Sequence, residues 1–544
     1  MILTIALRRE IAWGAPGSES SAPTGSRGVR FGRRIWVEIE PTCPYDEGGP
    51  WRRQSGRTKR KARGTTFDGL GLPMNLETRA CTGPVNRRTW LTVGGISFGA
   101  LAAGGLPGLS GLLAAEAASP LAKDEFSVIL FWANGGPSQI DLFDLKPHAP
   151  AEYRGPFHPI RTNVPGLEIN EHLPRLAKLA DKFALIRSLH HERNEHSGGT
   201  HRFLTGYASR AANLNDAEFP EIGSVVARRL AGRGDVPPFV ANTKLYGSGP
   251  AYLGPAYAPY MPDPNPLSST GNNTYDPIPL YRTGGTQDNL SITPEGVLKL
   301  GRRADLLRSI DRLPGELDRS GMMSAADGFQ QRALSMLASG RTRQAFDLSQ
   351  ENERTRARYG DTHWGRSLLT CRRLVEAGVR FVQCQAEFRL PAEIGRTSNW
   401  DDHSVNADIF RAYEEKLPVL DHSLSALVED LHERGLDRHV LVLFCGEFGR
   451  TPMIRYQDES RRPGRDHWSR AMSVFAAGGG LRMGQVIGAT NSRAEEPVER
   501  AMDSNCLLAT LYARFGINPQ STFVDRSGRP LAILPVGEPI RELV

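Results

Sequence analysis

The chain has 544 residues, 39% hydrophobic and 23% charged, so it can bury a large core and is not a mini-protein, a disordered chain or a fibrous protein. Its net charge of +7 comes almost wholly from residues 1–80, which hold 14 Lys and Arg against 8 Asp and Glu. This basic stretch lacks apolar periodicity, so we expect no binding of nucleic acid. Six cysteines are too few for a disulfide framework in a chain of this length.

The N-terminal region contains a pattern typical of an export signal. Arg87 and Arg88 precede a glycine-rich apolar stretch that runs to Leu113 and ends in small residues. A twin arginine followed by such a stretch is typical of twin-arginine signal peptides. The alternative is a transmembrane helix, because the run approaches the roughly 20 residues that span a bilayer. Its glycines and Pro107 argue against a lasting anchor, so we expect cleavage and no stable membrane span.

The position of this signal predicts the organisation of the chain. It starts too far from Met1 for an ordinary leader, whereas Met74 opens one of normal length. We therefore expect residues 1–73 to be a wrongly translated or disordered leader, residues 74–118 the signal and residues 119–544 the single folded domain. The predicted partner is the twin-arginine export machinery, and the predicted location is the periplasm or the extracellular space.

The folded domain shows strands alternating with helices. Short apolar runs typical of buried strands cover residues 126–132, 183–189, 379–385, 440–445 and 472–477. The clearest helix covers about 417–434, where leucines recur at three-and-four spacing and Gly435 follows. The pattern predicts an α/β fold with a mostly parallel central sheet and helices on both faces, whose ligands gather at the carboxyl edge. Residues 245–288 lack periodicity and predict a surface excursion over that edge.

Four histidines follow the second predicted strand within twelve residues. They are His190, His191, His196 and His201. Ser197 and the two glycines after it suit a turn into a helix, whose free N–H groups would stabilise an anion and ease ionisation of the serine. The alternative is a hydrated loop with an N-cap serine.

Acidic residues and further histidines follow the later strands. Asp401 and His403 stand two positions apart in a polar loop and can chelate one cation. Glu447 leaves the strand at 440–445 in a glycine-flanked turn. His467 follows Asp466 just ahead of the last strand, where the alternative is a surface Asp–His pair beside a packed tryptophan. Because a parallel sheet brings such loops together, the sequence predicts one convergent metal site.

At these residues the chain resembles the DUF1501 family, exported bacterial proteins of the alkaline phosphatase and sulfatase superfamily. The resemblance covers nearly all of residues 125–540. It rests on Gly135-Gly136-Pro137-Ser138, Arg187-Ser188-Leu189-His190, Tyr252-Leu253-Gly254, Trp400-Asp401-Asp402-His403, Gly446-Glu447-Phe448-Gly449-Arg450-Thr451-Pro452 and Gly464-Arg465-Asp466-His467-Trp468.

The resemblance implies an alkaline phosphatase-like sheet edge that holds one or two divalent metals. The metal ligands it implies are Asp401, His403, Glu447 and His467, with the nucleophile at His196 or Ser197. Asn134 stands where the superfamily has a metal-binding aspartate, for which Asp141 is the expected substitute. Phe448 replaces a histidine of the second metal, and the sulfatase formylglycine sequence is missing around Ser197. These departures favour one metal, or a scaffold that keeps the fold without the chemistry.

The leading hypothesis is an exported metal-dependent hydrolase of phosphate or sulfate esters, carried on small molecules or glycans. The metal would lower the pKa of Ser197 or of a bound water, and His467 would complete the coordination shell or protonate the leaving group. Mixed imidazole and carboxylate ligands suit zinc or manganese better than calcium. The alternative is a non-catalytic exported binding protein that recognises sulfated glycans or a surface partner.

Overall fold

The described part of the chain is built around one eight-stranded sheet. The computed structural model describes residues 126–230, 236–262, 280, 340–396 and 399–544. The expected leader and export signal lie outside these residues. Within them, no helix has both the length and the apolar character needed to cross a membrane.

The secondary structure is numbered in chain order. The strands are β1 (Ser127–Trp132), β2 (Pro159–Arg161), β3 (Glu168–Asn170), β4 (Phe183–His190), β5 (Phe239–Ala241), β6 (Phe381–Gln385), β7 (Val440–Cys445), β8 (Gly449–Arg450), β9 (His467–Trp468), β10 (Met472–Gly478), β11 (Gln485–Ile487), β12 (Ala489–Thr490), β13 (Pro497–Glu499), β14 (Met502–Asp503), β15 (Thr522–Val524) and β16 (Pro530–Ala532). The α-helices are α1 (Gln139–Leu142), α2 (Ala151–Arg154), α3 (Pro174–Ala177), α4 (His196–Thr205), α5 (Ile222–Arg229), α6 (Arg341–Phe346), α7 (Glu353–Tyr359), α8 (His363–Ala377), α9 (Ile409–Glu433) and α10 (Asn505–Arg514).

The sheet is parallel except for one strand. Its order is β11-β4-β10-β7-β1-β6-β5, and β14 also pairs with β4. Only β10 runs antiparallel to its neighbours β4 and β7. The start of β10 therefore lies at the same edge as the ends of the parallel strands, and Met472 pairs with Leu189 there. This confirms the mostly parallel α/β fold predicted from the sequence.

Helices cover both faces of the sheet, as its continuous apolar strands require. Ile129 and Phe131 of β1 belong to one hydrophobic core, which also contains apolar residues of α8 and α9. Val128, Leu130 and Trp132 belong to a second core, with apolar residues of α4, α5 and α10. Alternate side chains of one strand thus fill two cores, and the polar loops are left for the sheet edges.

Two local predictions differ from the structure. Helix α9 begins at Ile409, about eight residues before the predicted start, because Asp408 caps it by accepting hydrogen bonds from two backbone N–H groups. Pro418 lies inside the helix. The predicted excursion at 245–288 is described only at 245–262 and at 280, and Leu245 and Ser248 within it are buried.

Candidate metal centre

The turn after β1 joins three strand ends at the carboxyl edge. Gly135 has a φ of 103° and donates its N–H to Glu447 Oε1 at 2.8 Å. A Cβ atom at this position would lie 2.5 Å from the backbone nitrogen of Asp401. Only glycine therefore fits here, because a side chain would clash and the positive φ would strain it. The close approach brings the loops after β1, β6 and β7 into contact.

Glu447 is held rigidly behind the site. Its side chain is fully buried, and Oε1 lies 2.6 Å from Nδ1 of His196. Its carbonyl oxygen accepts a hydrogen bond of 2.6 Å from His191 Nε2. His191 Nδ1 accepts from the N–H of Arg193, so the proton of His191 is on Nε2. Burial lowers the pKa of His191 to about 4, so this ring stays neutral at neutral pH.

Three histidine rings meet around the carboxylate of Asp401. His403 Nε2 lies 2.9 Å from Asp401 Oδ1 and 2.9 Å from His467 Nε2. His467 Nε2 lies 3.1 Å from the same carboxylate oxygen. His196 Nε2 lies 3.3 Å from Asp401 Oδ2. Four side chains from three chain segments thus direct potential ligand atoms towards one another.

The protons of two rings are engaged on the outer side of this cluster. His467 Nδ1 lies 2.7 Å from the carbonyl oxygen of Asn194, which can only accept, so Nδ1 carries the proton. His403 Nδ1 lies 2.9 Å from the carboxylate of Asp466 and donates to it in the same way. The Nε2 lone pairs of the two rings therefore face each other and Asp401. A proton on one ring or a cation between the acceptors would relieve the repulsion between these lone pairs.

The cluster fits a transition-metal ion. Neighbouring ligands placed 2.0–2.1 Å from a tetrahedral zinc lie about 3.4 Å apart, close to the 2.9–3.3 Å between Asp401 and each of the three rings and between His403 and His467. Among the described residues, His196, Asp401 and His467 form one group whose ligand atoms all lie within 4.8 Å of one another. Imidazole donors in the majority suit zinc or manganese and disfavour calcium, which prefers oxygen.

Two positive charges balance the carboxylates of the cluster. One is the permanent charge of Arg450, and the other is the proton of His196, which can be exchanged for an ion. The buried guanidinium of Arg450 donates to Asp401 Oδ1 at 2.6 Å and to the carbonyl of Gly136 at 2.9 Å. Burial alone would raise the pKa of the Asp401 carboxyl. Arg450 and the three histidines lower this pKa by a larger amount, so that it lies well below its usual range. Burial lowers the pKa of His196, yet its bonds to Asp401 and Glu447 outweigh this and raise it to about 9.

The structure brings four of the predicted site residues together and places Glu447 behind them. Asp401, His403, His467 and His196 surround one point, and Glu447 contacts this set through His196. Glu447 Oε2 is buried and has no hydrogen-bond partner among the described residues, so this oxygen can serve a further donor or ion.

Asp141 does not join this cluster, contrary to the expectation that it replaces the missing aspartate at Asn134. It is the third residue of α1, and its carboxylate binds the guanidinium of Arg465 at 2.7 and 3.0 Å. Both side chains are fully buried, and Ser138 Oγ donates to Asp141 at 2.5 Å. A carboxylate satisfied in this way acts as an internal ion pair rather than a metal ligand.

Ser197 lies beside the cluster, but its hydroxyl is engaged elsewhere. It is the second residue of α4, as the predicted turn into a helix requires, and the N-cap is Glu195. Its Oγ accepts from the N–H of Leu214 at 2.8 Å and lies 3.5 Å from the carbonyl of Ala212. Ser197 shares with His196 and His467 the lining of a cavity of about 620 Å³. The serine thus anchors a loop at the wall of the candidate site.

Several residues of the site carried no assigned role in the sequence. Asp466 and Asn194 orient His403 and His467, and Arg450 fixes Asp401. Asp466 was marked only by its position next to His467. Arg450 lies in the same glycine-flanked turn as Glu447, but nothing in that pattern indicates where its side chain points.

Comparison with known proteins places the chain in a family. The model of the family described as "Protein of unknown function (DUF1501)" matches residues 125–544. The chain belongs to the DUF1501 family. No curated protein is significantly similar in sequence.

Solved structures give a weaker similarity. The DUF1501 chain is 12% identical to the PsFucS1 sulfatase from Pseudoalteromonas sp., covering 75% of this chain and 70% of that one, with a TM-score of 0.33. It is 10% identical to the alkaline phosphatase from the Antarctic bacterium TAB5, over 73% and 98% of the two chains, with a TM-score of 0.31. For the phosphonate monoester hydrolase SpPMH from Silicibacter pomeroyi, the identity is 12%, the coverage 73% and 74%, and the TM-score 0.27. At such scores these similarities establish neither activity nor substrate for this chain.

Proposed function

We propose that this DUF1501 protein is an exported, metal-dependent hydrolase of phosphate or sulfate esters. The observation that carries the proposal is the set of lone pairs that face one another at Asp401, His403 and His467. A divalent ion held there would polarise an ester oxygen and lower the pKa of a bound water. Zinc or manganese fits these donors best, and one ion can be shared by His196, Asp401 and His467, with His403 beside them.

The surrounding residues divide the work of holding these ligands. Asp466 and the Asn194 carbonyl fix two rings so that Nε2 faces inward. Glu447 does the same for His196 through Nδ1. Because the Nδ1 proton of His467 is bound to a carbonyl and burial lowers the pKa of its ring, His467 serves as a ligand rather than as the acid for the leaving group.

The nucleophile is proposed to be water rather than Ser197. The serine hydroxyl already accepts a hydrogen bond from Leu214 at 2.8 Å, and among the described residues its other partner is the carbonyl of Ala212 rather than a base of the cluster. A water on the open side of the cluster needs no such rearrangement. We expect Ser197→Ala to retain kcat within about tenfold, whereas loss of a covalent nucleophile costs several orders of magnitude.

Hydrolysis of aryl phosphates and aryl sulfates by purified protein tests the function. The protein is stripped with a chelator, reloaded with zinc, manganese or calcium, and assayed alongside Asp401→Asn as a matched control. We expect turnover with zinc or manganese, little with calcium and none with the variant. Lack of turnover by every reloaded form would exclude the proposed chemistry.

A non-catalytic binding protein is the second candidate, and the ring of Phe448 favours it. This ring packs against His196 and His467 with centroid distances of 5.4 and 4.6 Å. The superfamily that the chain resembles carries a metal-binding histidine at this position. The lining of the 620 Å³ cavity also contains neither lysine nor arginine to hold an anion. Elemental analysis separates the two candidates, because the hydrolase requires metal in stoichiometric amount.

A further inference from the structure

A second and larger cavity lies beside the candidate metal centre. Its volume is about 990 Å³, within the range of pockets that enclose organic ligands. Two chain segments separate it from the first cavity. Residues 213–215 line the first cavity and residues 216–219 line the second. Tyr246 likewise lines the first, while Lys244 and Ser248 line the second.

The dividing segments are fixed to the helix that carries His196. Ser197 Oγ accepts a hydrogen bond from Leu214, and Nδ1 of His201 donates to the carbonyl of Gly247 at 2.9 Å. Gly247 has a φ of 75°, and a Cβ there would lie 2.2 Å from the carbonyl oxygen of Ser197. The two cavities are therefore held in a constant relation by α4.

Aromatic rings form one wall of the second cavity. Phe219 is stacked on Tyr207 with a centroid distance of 4.0 Å and an angle of 4° between the rings. Tyr252 meets Phe219 edge-on at 6.4 Å. Phe219 and Tyr252 both line the cavity. Rings fixed in this way offer flat faces for the C–H groups of a ligand at little entropic cost.

Most charged groups of the wall neutralise one another. Lys244 forms an ion pair with Asp216, Arg210 with Glu218, and Arg529 binds Asp525 at 3.0 Å, which leaves Arg526 as the one cation of the lining without an ion pair among the described residues. An anionic polymer would require a row of unpaired cations along the wall, and an apolar peptide would require a wall without these charges. Carboxylates and guanidinium groups that are already paired still have lone pairs and N–H groups available for further hydrogen bonds. These groups can bind the vicinal hydroxyls of a neutral ligand.

Polar atoms without partners lie directly behind this wall. Within the part of the chain that the structure describes, Glu221 Oε2 and Tyr512 Oη are buried and have no hydrogen-bond partner. The backbone N–H of Glu221 binds the carbonyl of Gly249, which lines the cavity. Burial raises the pKa of Tyr512, and Tyr252, which lines the cavity, raises it further. The wall thus carries aromatic side chains, and buried polar groups that do not themselves line the cavity lie behind it.

We infer that the second cavity is a binding site for the neutral part of a saccharide, with Phe219 and Tyr252 packing against sugar rings. The inference of this site depends only on the residues that line the second cavity. Its role in presenting an ester to the first cavity rests on the proposed function. A saccharide of several units that spans both cavities would place one esterified unit at the metal centre.

Direct binding tests this site without any need for hydrolysis. The full chain, kept metal-free with a chelator, is titrated by calorimetry with neutral gluco-, galacto-, manno- and xylo-oligosaccharides of two to six units. We expect at least one series to bind with a dissociation constant of millimolar or below. Tyr252→Ala should weaken this binding at least tenfold, and Asp401→Asn should leave it unchanged.

Further variants keep the result interpretable if Tyr252→Ala does not fold. Arg526→Ala and Asp216→Ala alter exposed residues of the wall and should each weaken binding threefold or more. Tyr456→Ala removes an exposed tyrosine outside the lining of either cavity and should have no effect. The site is overturned if no oligosaccharide of the panel binds. Binding that Arg526→Ala and Asp216→Ala leave intact, or that Asp401→Asn abolishes, also overturns it.

Discussion

Asp401 and Asp402 are neighbours in the chain but lie in two different electrostatic settings. Asp402 is fully buried, and both of its oxygens lie 2.9 Å from Lys416 Nζ. Asp401 is partly exposed and is shared between Arg450 and three histidines. The ammonium group of Lys416 is a permanent part of the fold, whereas the proton of His196 can be exchanged for an ion. The carboxylate of Asp402 therefore stabilises the fold, and that of Asp401 is available for chemistry.

The largest effect is expected for Asp401→Asn. The change keeps the shape of the side chain but removes the charge around which the histidines converge. Metal affinity should fall by more than the roughly 10–100-fold that the loss of an outer hydrogen-bond partner causes, and hydrolysis should be lost. Calorimetric titration with zinc measures the affinity, and thermal unfolding of the metal-free protein checks that the fold survives. Unchanged zinc affinity in a folded variant would show that the two aspartates do not differ as proposed.

Asp402→Asn should instead affect stability. It leaves the buried ammonium of Lys416 without its anion, so we expect the free energy of unfolding to fall by about 3–5 kcal/mol. Urea denaturation measures the loss. The double variant Asp402→Asn with Lys416→Met removes both charges and should recover most of that loss, because a matched apolar replacement leaves no unpaired charge. A double variant no more stable than the single one would contradict the ion-pair explanation.

Asp466→Ala should weaken the metal site without destroying it. The residue orients His403 through a hydrogen bond of 2.9 Å and is not itself part of the converging group. Loss of such a partner lowers metal affinity by about 10–100-fold. Asp458→Ala, an exposed aspartate in the same loop, serves as the control and should leave zinc titrations unchanged. Equal effects of the two variants would mean that Asp466 does not position the ring.

Glu221 represents a third setting, a buried carboxyl at which burial outweighs the hydrogen bond with Ser248 and the charge of Lys244. Burial raises its pKa from 4.5 to about 7. Between these values the unfolded chain gives up the proton while the folded chain retains it, so the free energy of unfolding falls as pH rises. The loss from this group between pH 5 and 7.5 should be about 2 kcal/mol and absent in Glu221→Gln. Denaturation of both proteins at the two pH values measures it, and parallel pH profiles would exclude the effect.

The sequence by itself determined the fold class and where most of the polar residues would meet. The pattern of apolar residues identified the five long strands of the sheet, because strands buried on both faces are continuous apolar runs. The parallel arrangement then implied that the residues after these strands share one edge. His196, Asp401, His403 and His467 could be named in this way, since each stands in a polar segment that follows a predicted strand or, for His467, comes just ahead of one.

Only the tertiary structure decided which of these side chains point inward. Asp141 was expected to substitute for the aspartate missing at Asn134, but the first turn of α1 directs it to Arg465, a residue more than 300 positions away. Ser197 is where a nucleophile was expected, yet its hydroxyl is used by the loop at Leu214. Side-chain direction depends on partners that are distant in the chain, and local periodicity carries no information about them. For the same reason, the second cavity and the opposed lone pairs of His403 and His467 emerge only when the chain is folded.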